Sequence, residues 1–466
     1  MALSARGQQW ARLSSDMLIW TVIQDLWEPE TNPNGYISLG VAENALMHDE
    51  LTKYIHANID LPSNGLTYGD GGKGTKKLRA AMARFLTRKL NPVTPFEPSQ
   101  ICITNGVTSS IDHMSSIIAD PGDTFLLGQP HYGAFIPDIE LRPGTKVAQV
   151  AFGDVDPLSL EAVSAYERTI ESCKARKQKV AGLVLCNPHN PLGRCYPREY
   201  IIELMKVCQK HQVHLISDEI YALSVFRQSD PTDESVIPFT SLASIPTDGL
   251  IDPALTHIIY GLSKDFGANG LRLGCIVSQH NQELQTALTT VSIYSYVSSL
   301  TDSIATKLLS DDGFVDWYIE ENNKRLQAQY ELVVAWAEKH SIEYTRGVNA
   351  AFFLWVNLGK THSKSVQTGK LKEKEVDSAK KLRLRRVEES ANEPAEASTG
   401  VDAHNDAGSD IDTVVNDALL EQKVFLASGV QFGSEKPGWF RIVFSQNPKL
   451  LHLGLERIER ALGLSE

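Results

Sequence analysis

His257-Ile-Ile-Tyr-Gly-Leu-Ser-Lys264-Asp-Phe-Gly-Ala-Asn-Gly-Leu-Arg272-Leu-Gly274 joins a buried-strand signal to two cations. The run from Ile258 to Tyr260 is β-branched and aromatic, as an interior strand requires; Gly261 breaks it, and Lys264 and Arg272 follow among further glycines. A chain built this way presents an amine and a guanidinium to one small anionic ligand. Among apolar neighbours a lysine loses solvation of its charged form, so the neutral amine becomes able to attack a carbonyl. A solvent-facing lysine after a strand is the ordinary reading of a Ser-Lys dipeptide. The chemistry of the neighbouring strand ends decides between the two.

Upstream, short apolar runs alternate with helical patterns. Strands are expected at Ile101–Thr104, Thr124–Leu127, Val147–Val150, Val180–Cys186, Val213–Ser217, His257–Tyr260 and Cys275–Val277, with amphipathic stretches such as Leu158–Ser172 and Arg198–His211 between them. Continuous apolar strands separated by helices imply an α/β fold, a mostly parallel sheet covered on both faces. Ligands of such sheets gather at the carboxyl ends of the strands.

Several of those ends carry chemistry. Ile101–Thr104 runs into Asn105-Gly-Val-Thr-Ser-Ser110 and a helix, where the amides of Val107 and Thr108 and the Thr108 hydroxyl can hold a phosphate, with Arg272 neutralising it. Val213–Ser217 ends in Asp218-Glu-Ile-Tyr221, a carboxylate able to keep a pyridine nitrogen protonated and a phenol able to reach the same ring. Asn187-Pro-His-Asn-Pro-Leu-Gly193 adds the amide of Asn190. Gly69-Asp-Gly-Gly-Lys-Gly74 satisfies GxGxxG, but no β-branched strand precedes it, so a glycine turn entering a helix over Thr75–Leu90 is the better reading than a dinucleotide site.

The chain has 466 residues, 42% of them apolar and 22% charged, enough for two domains with a sizeable core. The net charge of −12 and a pI near 5.6 argue against nucleic acid or an anionic membrane surface as partner, and favour a small molecule. No apolar run reaches the roughly 20 residues that span a bilayer, and the first residues lack a signal-peptide core, so a cytoplasmic protein is expected. The six cysteines show no CxxC spacing; they read as reduced core thiols, without disulfide or metal such as zinc.

Toward the amino terminus, Trp10, Trp20 and Trp27 lie in helical spacings ahead of the turn Asn32-Pro-Asn-Gly-Tyr36, and Ile37–Leu46 delivers Glu43 and Asn44 into a loop, where Glu43 is either a site residue or a surface carboxylate. Toward the other end, a long helix is expected over Val315–His340 and a strand over Ala350–Val356, followed by a composition shift. Residues 362–410 are rich in Lys, Glu, Ser, Ala and Asp and read as a flexible insertion; its run Lys380–Arg386 is a solvated charge run, or else a nuclear-import or partner-binding patch. Order is expected to resume with a helix over Asp412–Gln422, strands Val424–Leu426 and Trp439–Phe444, and a last helix.

With Gly40-Val-Ala-Glu-Asn-Ala-Leu46, Ala119-Asp-Pro-Gly-Asp-Thr-Phe125, Asn187–Gly193, Ser217–Tyr221, Leu262-Ser-Lys-Asp265 and Pro437-Gly-Trp-Phe-Arg441 in that order, the chain resembles the fold-type I pyridoxal-phosphate enzymes of the class I/II aminotransferases, within them the branch of 1-aminocyclopropane-1-carboxylate (ACC) synthase. The resemblance implies a seven-stranded large domain over residues 46–300, a smaller α/β domain over 301–466 holding the insertion, and an arm over 1–45 packed on the small domain or a partner. It implies that Lys264 forms a Schiff base with the cofactor and then moves protons at Cα, that Asp218 holds the pyridine nitrogen, and that Asn190 and Tyr221 contact the ring hydroxyl. Tyr132 then stacks on the ring, Ser263 helps hold the phosphate, Arg441 clamps the substrate carboxylate, Glu43 faces the substrate side chain, and Tyr68 reaches the phosphate of the second subunit of a homodimer. Where many relatives carry a further phosphate-binding serine, this chain has Gly261. Transamination, carbon–sulfur elimination and ACC formation from S-adenosylmethionine all begin at the same Cα and stay open. A non-enzymatic pyridoxal-phosphate regulator is the rival class, but the chain lacks a helix-turn-helix extension and is acidic.

Overall fold

The computed structural model describes residues 3–15, 18–227, 235–371 and 409–465. Seven strands form the larger sheet: β1 Ile101–Thr104, β2 Thr124–Gly128, β3 Lys146–Val150, β4 Val180–Cys186, β5 His214–Asp218, β6 Thr256–Gly261 and β7 Gly274–Val277. Their order is β1-β7-β6-β5-β4-β2-β3, and every pairing is parallel except the two made by β7. The expected strands thus all form, within a residue or two at each end.

Why these runs make one sheet is visible in their side-chain alternation. Leu126, Leu215 and Ile258 enter one core while Phe125, Ile216 and Ile259 enter the other, so each strand feeds both faces. All seven residues of β4 are buried. At roughly 1.5–3 kcal/mol per large apolar side chain, this two-sided burial outweighs any weaker local preference. Helices α1 Lys76–Leu90, α2 Val107–Ile118, α3 Phe135–Glu140, α4 Val163–Ala175 and α5 Arg198–His211 belong to this part of the chain. The glycine turn before α1 behaves as read: Thr75 caps the helix, its hydroxyl accepting from the Leu78 amide at 3.0 Å.

The long helix α6, Asp312–Lys339, leads to an antiparallel second sheet of β8 Glu343–Tyr344, β9 Phe353–Asn357, β10 Ala427–Ser428 and β11 Trp439–Val443, ordered β10-β11-β9-β8. Ile37–Ser38 pairs in parallel with Val424–Phe425, and Leu39 accepts from the Val443 amide at 2.8 Å, so the segment entering the site is stitched to the C-terminal sheet. Only Ile37–Ser38 of the expected Ile37–Leu46 strand is extended in this way. Asn44 donates to Asn322 on α6 at 2.8 Å, fixing the loop that carries Glu43.

One boundary needs correction. The flexible insertion expected over 362–410 does not begin at 362, because helix α7 runs through Leu358–Gln367 with Thr361 and Ser365 buried and Gly359 packed on Gly438. At the other side Ser409 opens helix α8, Ser409–Glu421. Small residues let α7 approach closely without the large apolar side chains that a composition reading looks for. The basic run Lys380–Arg386 and the rest of 372–408 lie outside the described residues. No helix among those described is long and apolar enough to cross a membrane.

Candidate active site

A cavity of about 220 Å3 opens where β1, β4, β5 and β6 end. At one side, β1 passes through Asn105 and Gly106 into α2. Gly106 has φ of 114°, and a Cβ there would run into Nη2 of Arg272, so only glycine lets the guanidinium close on the turn. Gly274 is restricted likewise: its Cβ would stand 2.8 Å from the Val107 amide nitrogen. The first amides bonding back are those of Ser109 and Ser110, both to the Gly106 carbonyl, so Val107 and Thr108 stand in the first turn with their N–H groups unused by the helix. Thr108, Ser263 and Arg272 line the same end, and Arg272 is braced by its Nη1 donating to the Asn269 carbonyl at 2.8 Å. Amides, hydroxyls and a guanidinium converging on a helix N-terminus make a receptor for a phosphate monoester.

Across the cavity, Asp218 ends β5. It is buried, and burial pushes its carboxyl up to about 7, with the Ile220 amide and Lys264 pulling back toward ionisation. A carboxylate so placed ionises fully once a cation pairs with it, as a protonated pyridine nitrogen does. Tyr221, on the turn that follows, is buried edge-on between Phe352 and Phe353. Asn190 comes from the turn after β4, which is held by Asn187: its side chain donates to the Thr240 carbonyl at 3.0 Å and accepts from the Tyr196 amide at 3.2 Å. Tyr132 also lines the cavity, set edge-on against Phe135.

Lys264 lines this cavity from the loop after β6. Burial, then the nearby Arg441, lower its ammonium to about 8, against the opposing pull of Glu43 and Asp218, and its Nζ donates to the Ala42 carbonyl at 2.7 Å. The next residue, Asp265, accepts from the Ser224 hydroxyl at 2.7 Å and from the Leu223 amide and Tyr260 hydroxyl at 3.1 Å each. The lysine loop is thereby tied to the turn that carries Tyr221.

Arg441 on β11 is 3% exposed and sits between the rings of Phe353 and Phe432, its Cζ 5.0 and 4.8 Å from their centroids. It donates to Asn190 Oδ1 at 2.8 Å and to the Gly40 carbonyl at 2.6 Å, while its Nε is buried without a partner. Among the described residues no carboxylate pairs with it. A buried guanidinium left without a counter-charge is costly, and a ligand carboxylate relieves that cost.

Of the residues singled out from sequence, Val107, Thr108, Tyr132, Asn190, Asp218, Tyr221, Ser263, Lys264 and Arg272 line this one cavity. Arg441 reaches it through Asn190. Glu43 stands at its margin, accepting from Asn269 Nδ2 at 2.8 Å. Tyr68 is not brought in: it is 87% exposed, with Tyr296 its nearest ring at 6.3 Å. Five lining residues were missed, Ile111, Asp138, Cys186, Ile220 and Asn269. Cys186 and Ile220 carry a signal, since they adjoin strand ends. Asp138 carries none, since it lies on the short helix α3 away from any strand end or motif.

A phosphate cup, a carboxylate for a ring nitrogen, a poised amine and a carboxylate receptor fit pyridoxal phosphate together with an α-amino acid. Comparisons with known proteins agree. A mouse protein described as a probable inactive ACC synthase-like protein 2 is 29% identical over 442 residues, 93% of this chain and 67% of that one. ACC synthase 7 of Arabidopsis thaliana is 32% identical over 361 residues, covering 74% of this chain and 77% of the relative. The probable aminotransferase sirI of Leptosphaeria maculans is 28% identical across 100% of this chain and 99% of its own. A tryptophan complex of a Thermus thermophilus aspartate aminotransferase mutant superposes with a TM-score of 0.71 at 18% identity, over 99% of this chain and 100% of that one, and so shares the fold. The model of aminotransferase class I and II matches residues 34–458, and the chain belongs to that family, whose cofactor is pyridoxal phosphate.

Proposed function

We propose that this protein is an enzyme acting at Cα of an α-amino acid, an aminotransferase or a carbon–sulfur lyase of the ACC synthase-like type. The observation that carries the reading is the position of Lys264, an amine with its pKa lowered to about 8, in one cavity with Asp218 and beside the uncompensated Arg441. One mouse relative is named probable inactive; Lys264, Asp218 and Arg441 are all present here, which favours turnover over mere cofactor binding.

Bound pyridoxal phosphate supplies an electron sink for the electron pair left at Cα. Val107, Thr108, Ser263 and Arg272 would hold its phosphate, Asp218 would keep a proton on the ring nitrogen, Asn190 and Tyr221 would bond the ring hydroxyl, and Tyr132 would pack against the ring. Arg441 would exchange its contact with the Gly40 carbonyl for the substrate α-carboxylate and so orient the substrate in the cavity. Lys264, neutral at a pH near or above 8, takes the Cα proton and returns it. Where that proton is returned separates transamination from loss of a sulfur leaving group. Glu43, at the cavity margin, favours a cationic or amine-bearing side chain, which keeps ACC formation from S-adenosylmethionine as the second reading.

The same reading divides the chain into an arm over 1–45, a cofactor-holding unit over 46–300 and a smaller unit over 301–466. It also makes the protein a homodimer, with Tyr68 serving the phosphate cup of the partner. The exposure of Leu66, Tyr68, Tyr294 and Tyr296 supports that arrangement.

The test incubates the purified, cofactor-loaded protein with amino acids and S-substituted cysteines and methionines, with and without 2-oxoglutarate. New glutamate identifies transamination; pyruvate or 2-oxobutyrate with a released thiol identifies elimination. Failure of every amino acid to perturb the cofactor spectrum counts against the proposal.

A further inference from the structure

Asn269 lines the cavity together with Lys264 and Arg272, at the start of the short turn Asn269–Leu271. Its Nδ2 donates to Glu43 Oε1 at 2.8 Å, and its backbone carbonyl accepts from Arg272 Nη1 at 2.8 Å. One residue thus holds a carboxylate at its donor end and a guanidinium at its acceptor end. The turn also sets Arg272 at φ of 53°, the left-handed region that a non-glycine residue enters only at a cost, and the Arg272 amide closes on the same Asn269 carbonyl at 3.4 Å.

Three contacts clasp the segment carrying Glu43 to the lysine loop. Lys264 Nζ donates to the Ala42 carbonyl at 2.7 Å, His48 Nε2 lies 3.1 Å from the Gly267 carbonyl, and the third is the bond from Asn269 to Glu43. The Glu43 backbone is pinned separately, its carbonyl accepting from the Ser445 hydroxyl at 2.6 Å. Its side chain is exposed, and among the described residues it has the Asn269 amide as partner and no ion pair; Arg272 has no ion pair either. A carboxylate beside an ammonium and a guanidinium is drawn to both. Asn269 is neutral, so it satisfies one Glu43 oxygen without cancelling the charge and leaves Oε2 open.

Resting on the reading that this cavity takes pyridoxal phosphate and an α-amino acid, we propose that Asn269 is the positioning residue that sets the preference for substrate side-chain charge. By holding Glu43 off the cations of the site, it keeps that carboxylate for an α-amino acid whose side chain is positively charged, an ammonium or a sulfonium. By the same bond it keeps Arg272 for the cofactor phosphate. Without the amide, Glu43 turns to Arg272, and the side-chain preference and the phosphate contact weaken together.

The test uses the cofactor-loaded protein and two matched pairs of probes, L-lysine against L-norleucine and S-methyl-L-methionine against L-methionine, whose members differ chiefly by one positive charge. Binding is read from the change in cofactor absorbance, and cofactor retention from equilibrium dialysis, in wild type, Asn269→Ala, Glu43→Gln and the double variant. Asn269→Leu, close to asparagine in volume but without the donor, runs beside Asn269→Ala so that the result does not hang on one variant folding. Wild type is expected to favour the charged member of each pair about fivefold, as one partly exposed ion pair allows. Asn269→Ala should bring that ratio to about one and lower retention about threefold, and adding Glu43→Gln should restore retention while the ratio stays near one. Retention lost in Asn269→Ala and not restored by Glu43→Gln marks a merely structural role and overturns the inference. Retention untouched by Asn269→Ala, a ratio that survives it, or a wild type that does not discriminate within the pairs overturns it equally. Amino acids that leave the wild-type cofactor spectrum unchanged overturn the underlying reading and this inference with it.

Discussion

Arg441 Nη1 donates to Asn190 Oδ1 across 2.8 Å, and this contact joins a strand of the C-terminal sheet to the turn following β4 in the larger one. The guanidinium and the amide are therefore positioned together, and a carboxylate bound by one is presented beside the other.

Arg441→Ala is expected to lower kcat/KM for any productive amino acid by about 3 kcal/mol, roughly two orders of magnitude, as for truncation of a buried charge partner. Cofactor absorbance of the loaded protein should stay near that of wild type. Undiminished kcat/KM on carboxylate substrates would remove Arg441 from substrate binding.

Gly106→Ala forces a side chain onto a backbone with φ of 114° and into the Arg272 guanidinium. Folding stability should fall by about 1–3 kcal/mol. Retention of pyridoxal phosphate should fall further than stability does, and dialysis alongside urea unfolding separates the two.

Gly261→Ser places a hydroxyl two positions before Ser263, where the family resemblance implies a further phosphate-binding serine, yet no gain is expected. The added Cβ would meet the Leu273 carbonyl at 2.8 Å and Val107 Cγ2 at 3.1 Å, so the strand end must shift to admit it. Tighter cofactor binding by this variant, measured by the same dialysis, would contradict the packing argument.

At the opposite end of the larger sheet, His214 and His257 stack with Nδ1 and Nε2 2.9 Å apart, and His257 Nδ1 lies 3.0 Å from the Ser278 hydroxyl. Burial lowers His257 to about 3 and lowers His214 as well. Both folded-state values lie below the ordinary 6.5, so the unfolded chain binds protons first. The stability of the neutral pair is present above about pH 6.5 and is lost as the pH falls below it, by about 2 kcal/mol from His257 alone at pH 5. Urea midpoints should drop between pH 7 and pH 5 in wild type, and less steeply in His257→Gln.

The seven strands were legible because both faces of each are covered, which writes continuous apolar runs into the sequence. The reversed direction of β7 was not, since a strand of four buried residues reads the same either way. Lys264, Asp218 and Asn190 could be picked out because strand ends and their motifs mark them. Asp138 could not, because it reaches the cavity from a short helix that no strand end or motif marks. Helix α7 escaped for a different reason: Gly359, Thr361 and Ser365 pack by being small, and smallness resembles the composition of a solvated segment. Tyr68, exposed in a single chain, has a role only if a second subunit is present.

The pairing of Ile37–Ser38 with Val424–Phe425 sets an order of events during synthesis. The segment it anchors carries the Gly40 carbonyl that meets Arg441 and the Ala42 carbonyl that meets Lys264. While the ribosome has yet to extrude residues 424–443, that segment has no strand to pair with, although every strand of the larger sheet has already emerged. At about 5–20 residues per second, the interval between release of β7 and release of β11 lasts on the order of ten seconds or more. Through that interval Lys264 and the turn after β1 have been made, while neither the Ala42 carbonyl nor Arg441 is yet held beside them.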